Sequence, residues 1–234
     1  TRALSSAASD VYKRQLLALL YQLAQSGASG GLVDLLILRD ETGAYNGYSG
    51  DVSSIIAALG FIGGALAVWS TAKLLITKNK EDMHLSHLKK EGKAKYALLV
   101  AVTIGAVIGF NLLFELLGVT NKSEAYTEVA SQQYSAHFMV GILVFGFISP
   151  IAEELLFRGV IYGYLRRFMD IKLAIALSAL IFGVYHMNYV QGVYGFLIGC
   201  LMAYAYEYFG EFKMAVFVLS LIHISEPTRR TPIS

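Results

Sequence analysis

Long apolar runs separated by short polar ones dominate the chain. A helix that crosses a bilayer needs about 20 mostly apolar residues. The stretches 52–76 (VSSIIAALGFIGGALAVWSTAKLLI), 96–118 (YALLVAVTIGAVIGFNLLFELLG) and 190–210 (VQGVYGFLIGCLMAYAYEYFG) each reach that length. So does 137–157 (HFMVGILVFGFISPIAEELLF), apart from its two carboxylates, whereas 171–186 (IKLAIALSALIFGVYH) is shorter. Residues 16–25 (LLALLYQLAQ) read as the tail of an earlier helix, and FKMAVFVLS at 212–220 opens a further one. Between them, the Gly- and Asp-rich segment 26–51 reads as an extramembrane loop. The pattern predicts an all-α, polytopic transmembrane bundle with at least five spans, cut short at its C-terminal end. Small residues four apart, at Gly60 and Gly64, Gly105 and Gly109, and Gly195 and Gly199, predict grooves for close helix packing.

Composition agrees with this. Of the 234 residues 56% are hydrophobic and only 15% charged, against about 25% charged in soluble domains. The net charge of +2, without a basic face carrying interleaved aromatics, excludes a nucleic-acid partner. One cysteine, Cys200, excludes an internal disulfide and a multi-thiolate metal site; among apolar neighbours it reads as a small filler. Lysines crowd 77–95, and Arg166, Arg167 and Lys172 lie in 165–172. The positive-inside rule therefore places both loops in the cytoplasm of a multi-pass cell-membrane protein, with 119–137 outside. The polar ends 1–15 and 219–234 lack the apolar pattern and resemble translated adapter read-through; they are read as non-native tails. This leaves 16–94 as a helix remnant, a loop and a first full span, and 95–218 as the main membrane domain.

The charged residues inside the third run are the chemical signal. Each bare charge at the centre of a bilayer costs roughly 2.5–3.5 kcal/mol on insertion scales, so ionisable groups there mark function. On a helix Glu154 and Arg158 are four apart and can neutralise one another. Glu153 points about 100° away and has no such ionic partner, which suits a general base. Pro150 removes a backbone donor just upstream and opens room for water or a partner group. In the next run Phe182 and His186 are also four apart, so a ring lies one turn below an imidazole that can hold a water, a metal or a proton. Straight spans would set Glu153 nearer the inner face and His186 nearer the outer one, so they meet only if the helix at Pro150 is broken or displaced. Glu115, at the end of its run, reads as a snorkelling side chain. No His-Glu-x-x-His pair is present, and the GYSG at 47–50 lies in polar sequence unlike an intramembrane serine site.

The pair Glu153-Glu154-x-x-x-Arg158 and Phe182-x-x-x-His186, within PIAEELLFRGVIYGYL and FGVYHMNYVQGVYGFLIGCLMAYAYEYFG, resembles the first two motifs of the CPBP intramembrane protease family. That family includes prenyl (CAAX) endopeptidases and bacteriocin-processing or self-immunity proteins. The resemblance covers roughly 96–218. It implies a helical membrane endopeptidase acting on membrane-associated, including prenylated, proteins or peptides. Glu153 would be the base, His186 would position the water, and Glu154 and Arg158 would orient and neutralise. A divalent metal such as zinc would take Glu153 and His186 as ligands. The family's third motif, His-x-x-x-Asn or Asp, should begin near position 219, where this chain has Leu219. His223 falls in the polar tail and reads as a coincidence, so this fragment is expected to be inactive. Two rival functions use the same residues: a non-catalytic bacteriocin immunity or binding protein, and an ion-coupled transporter with a Glu153–His186 relay.

Overall fold

The computed structural model describes residues 2–35, 50–82, 92–118, 123, 126 and 135–225. Those residues form helices and no strands. We label the helices α1 (Arg2–Leu35), α2 (Gly50–Asp82), α3 (Lys93–Leu116), α4 (Phe138–Phe168), α5 (Ile171–Tyr185), α6 (Tyr189–Phe209) and α7 (Phe212–Ser225). Three of them, α2 over Gly50–Lys78, α3 and α4, are long and apolar enough to cross a membrane; α5 and α7 are shorter apolar helices. Together they form the all-helical membrane bundle that the apolar pattern predicts. The run at 190–210 forms a helix of 21 residues, but Gln191, Glu207 and its repeated tyrosines dilute its hydropathy.

The segment 26–51 departs from the predicted loop. Residues 26–35 continue α1, and 50–51 begin α2; the rest of that segment, including GYSG, lies outside the described residues. Ala28 and Ser29 there are not turn residues but part of the face on which α1 meets α2, while Gly27, Gly30 and Gly31 look onto open space. A Cβ on Gly63 would lie 2.8 Å from Cβ of Ala28, and one on Gly60 would lie 3.1 Å from the Gln25 carbonyl oxygen. In a bilayer, packing of this kind replaces the hydrophobic effect as the force between helices. The Ser29 hydroxyl is satisfied by donating back to the Gln25 carbonyl at 2.9 Å. The region 1–15 is likewise helical from Arg2. Buried Arg14 donates to the Val160 carbonyl at 2.9 Å and lies 5.8 Å from the Tyr164 ring. At the other end α7 runs on through Leu219 to Ser225 instead of stopping where the polar tail was expected.

The other two small-residue pairs differ. A Cβ on Gly105 or Gly109 would meet nothing, so α3 makes no close contact there. On α6, a Cβ on Gly199 would come within 2.9 Å of the Ala179 Cα, and one on Gly183 of α5 would overlap the Gly192 carbonyl oxygen. The α5–α6 hairpin thus packs backbone to backbone. Each of its helices begins at a cap: Asp170 accepts from the Leu173 N–H at 3.1 Å at the start of α5, and Asn188, in the turn, from the Gln191 N–H at 2.8 Å at the start of α6. Gly183→Ala is expected to force these helices apart at a cost of about 1–3 kcal/mol, read as a lowered thermal midpoint in detergent.

More than half of the α4 apolar window is buried inside the bundle, against 22% for α3, which makes α4 the central helix. It is not uniform. Ile142–Ile148 and Leu155–Tyr162 are wide π-type turns flanking the α-helical Ser149–Glu154. Such turns are rare and concentrate at functional positions. The helix is not broken at Pro150. The lower end of α4 is tied to α6 by Glu207, which accepts from Tyr162 at 2.7 Å and from two Arg166 nitrogens at 3.0 Å.

Candidate functional site

The α-helical stretch between the two wide turns carries the carboxylates. Glu153 is 4% exposed and Glu154 and Arg158 are fully buried. The i,i+4 pairing expected from the sequence forms: Arg158 Nη1 donates to Glu154 Oε1 at 2.8 Å. Arg158 then reaches α6, where Nη2 donates to the Gly199 carbonyl oxygen at 2.9 Å. Its guanidinium also sits 5.5 Å from the Phe182 ring, a cation–π contact that is stronger where water is excluded. One buried cation therefore links α4, α5 and α6.

Glu153 faces elsewhere. The Ser149 hydroxyl, one turn earlier, donates to its Oε1, while Oε2 has no hydrogen-bond partner. Ser149 escaped the sequence reading, since a lone serine in an apolar run usually bonds to its own backbone. The carboxylate lies within electrostatic reach of Arg158, of His223 on α7, and of the Tyr21 and Tyr185 phenols.

His186 caps the end of α5. Its Nδ1 bonds to the Phe182 carbonyl oxygen at 2.9 Å, and its ring meets the Phe182 ring edge-on at 4.9 Å. A carbonyl can only accept, so Nδ1 carries the proton and, in the neutral ring, Nε2 carries the lone pair. His223 repeats this arrangement, with Nδ1 bonded to the Phe145 carbonyl oxygen at 2.7 Å. The sequence supplies the reason that this carbonyl accepts from a side chain. Within the wide turn the Ser149 N–H donates to Val144, five residues back. Phe145 would receive the next N–H in that register, but position 150 is proline and has none. Pro150 thus leaves its helix intact and frees one carbonyl.

His223 interacts electrostatically with both Glu153 and His186. The helix α7 thus brings His223, read from the sequence as a tail residue, within reach of the same polar groups. Leu219, the position where the third motif was expected, is buried and apolar. The chain continues as helix for one more turn, which carries His223 to the level of the carboxylate. A carboxylate and two imidazoles are the donor types that zinc accepts. Yet among the described residues no three His, Cys, Asp or Glu side chains are gathered closely enough to hold a metal ion.

Residues 135–225 match the family model of the type II CAAX prenyl endopeptidases, Rce1-like. The matched segment, less than half of the chain, resembles the Rce1-like family. It contains α4 to α7 and with them Glu153, Glu154, Arg158, His186 and His223. What this part of the chain is similar to is a membrane protease of the CAAX type. No curated protein and no solved structure matches the chain. The helices α1 to α3 lie outside the Rce1-like match, yet α1 delivers Tyr21, fully buried, and Gln25 to the same pocket. The Gln25 Oε1 accepts from the Tyr185 hydroxyl at 2.6 Å, beside His186.

An apolar groove of about 510 Å³ lies on the outer side of the α5–α6 hairpin, lined by Leu180, Val184, Met187 and Phe196 among others. Gly183 and Gly192 form part of its floor. His186 lies between this groove and Phe182 in the chain, at the turn joining the two helices.

Proposed function

We propose that the protein is an intramembrane endopeptidase that hydrolyses peptide bonds of membrane-associated, including prenylated, substrates with a water activated by Glu153 and His186. The observation that supports this most is the buried Glu153 with one oxygen held by Ser149 and the other unpartnered, within electrostatic reach of the His223 imidazole, which the Phe145 carbonyl orients. A water that donates one O–H to Oε2 gives that proton to the carboxylate as its oxygen attacks the substrate's carbonyl carbon. The tetrahedral intermediate then collapses, the C–N bond breaks, and the proton passes to the leaving nitrogen. The imidazoles of His186 and His223 present Nε2 as an acceptor that orients this water. Glu154 and Arg158 keep the helix neutral and fix the direction of Glu153 without touching substrate. No step is routed through a metal.

In this reading the basic segments 77–95 and 165–172 face the cytoplasm, and the substrate reaches the pocket from the bilayer. His186→Ala in the full chain is expected to lower cleavage of a farnesylated CAAX peptide by about 10²-fold or more while the protein still accumulates in membranes. The measurement is the rate of release of the C-terminal tripeptide from vesicles containing each variant. Cleavage at the wild-type rate would remove His186 from the reaction. A transporter built on the same residues would instead show ion-dependent uptake with no peptide product, and a binding protein would keep its affinity in this variant.

A further inference from the structure

The helix α1 lies outside the family-matched segment, yet it places one side chain against the site. Tyr21 is fully buried, and its hydroxyl has no hydrogen-bond partner. A buried, unsatisfied donor costs roughly 1–3 kcal/mol, so it requires an explanation. The phenol lies within electrostatic reach of Glu153, whose Oε2 is likewise buried and unsatisfied. One group offers a proton and the other offers a lone pair. A polar guest between them would satisfy both, as buried waters do elsewhere.

The ring is held firmly. It lies against Gly64 of α2, where an added Cβ would come within 3.0 Å of Cε2 and 3.1 Å of Cζ, a tight contact that the ring would have to yield to. One turn further along α1, Gln25 accepts from Tyr185, the residue before His186. Downstream of Tyr21 in space, Arg14 fastens the same helix to the Val160 carbonyl in the second wide turn of α4. Two firm attachments thus fix α1 over the carboxylate, at either side of Tyr21.

We propose that Tyr21 is a further catalytic residue, whose hydroxyl donates a hydrogen bond to the carbonyl oxygen of the scissile bond as negative charge develops on it. This rests on the hydrolase reading above. It supplies a donor that the sequence reading could not find, since the Asn or Asp expected four residues after the third-motif histidine is missing. Tyr21 moves no proton in the step; it stabilises the oxyanion, and the bond changes remain those between water, Glu153 and the substrate. Preorganised donors of this kind in dry sites each contribute about 10²–10³ in rate.

The test compares wild type, Tyr21→Phe and Glu153→Gln as full chains in lipid nanodiscs. The probes are a farnesylated peptide aldehyde, whose hydrate is tetrahedral, and the matched primary alcohol. Wild type is expected to bind the aldehyde more tightly than the alcohol. Tyr21→Phe is expected to lose about 10²–10³-fold of that preference, with alcohol affinity within twofold of wild type. Its thermal midpoint should be unchanged or raised, because the lost hydroxyl bonds to nothing in the fold. A fully retained aldehyde preference in Tyr21→Phe, with loss in Glu153→Gln, would overturn the role of Tyr21 and leave the hydrolase reading standing. No preference in wild type would overturn both. A midpoint that falls with the preference would make Tyr21 a structural residue and overturn the proposal as well.

Discussion

Glu153→Gln is expected to reduce peptide cleavage by about 10²–10⁴-fold, the range set by removing a positioned general base. The substitution is nearly isosteric, and the amide oxygen can still accept from the Ser149 hydroxyl. What the amide lacks is a site that can take the water's proton. The fold should therefore persist: thermal midpoints of the variant and wild type are expected to agree within a few degrees. Measuring cleavage and midpoint on one preparation separates a chemical loss from a structural one. Cleavage that survives in Glu153→Gln would move the base elsewhere, with Glu154 already engaged by Arg158.

Glu154→Gln should have the opposite profile, damaging the fold first. Arg158 is completely enclosed, and its only ionic partner among the described residues is Glu154, at 2.8 Å. Removing one member of a buried pair costs about 3–5 kcal/mol, because the other charge is left uncompensated. Here the two members are not equivalent. A buried carboxyl can shed its charge by binding a proton, whereas a guanidinium cannot. Glu154→Gln is therefore expected to lower the thermal midpoint more than Arg158→Met, and the double variant should recover part of the loss. Equal loss from both single variants would mean that the Gly199 hydrogen bond and the Phe182 contact, rather than charge neutralisation, dominate at Arg158.

The sequence shows these residues because charge is conspicuous in an apolar run and because i,i+4 spacing fixes a shared helical face. That is why Glu154 and Arg158 could be paired in advance and Glu153 set apart. Residues that reach the pocket through tertiary packing leave no such trace. Tyr21 and Gln25 stand over a hundred positions from the carboxylates, in a helix whose continuation, 26–35, has a Ser and Gly content that imitates a loop. Only the facing glycines of α2 convert that content into a helix interface. His223 leaves little trace for a related reason: its surroundings are polar, and nothing in its immediate sequence reveals that α7 continues past Leu219. The wide turns in α4 have no periodic signature either. The helix α4 is continuous through Pro150, and the imidazole within electrostatic reach of Glu153 is that of His223, not His186. The glycine pairs on α2 and α6 were legible as packing surfaces. The pair on α3 has the same spacing but faces no neighbour, so spacing alone does not identify the partner.

The wide turns also bear on how related chains should be aligned. Each accommodates an extra residue within a continuous helix, and the six residues between them hold the carboxylates in phase with α1, α5 and α7. Dropping a residue from Ile142–Ile148 would let that turn relax to the ordinary pitch and swing Glu153 by about 100°. Substitution there leaves the angular setting untouched. Among sequences of this kind, length across 142–148 therefore carries more information about a functioning pocket than residue identity in that turn does.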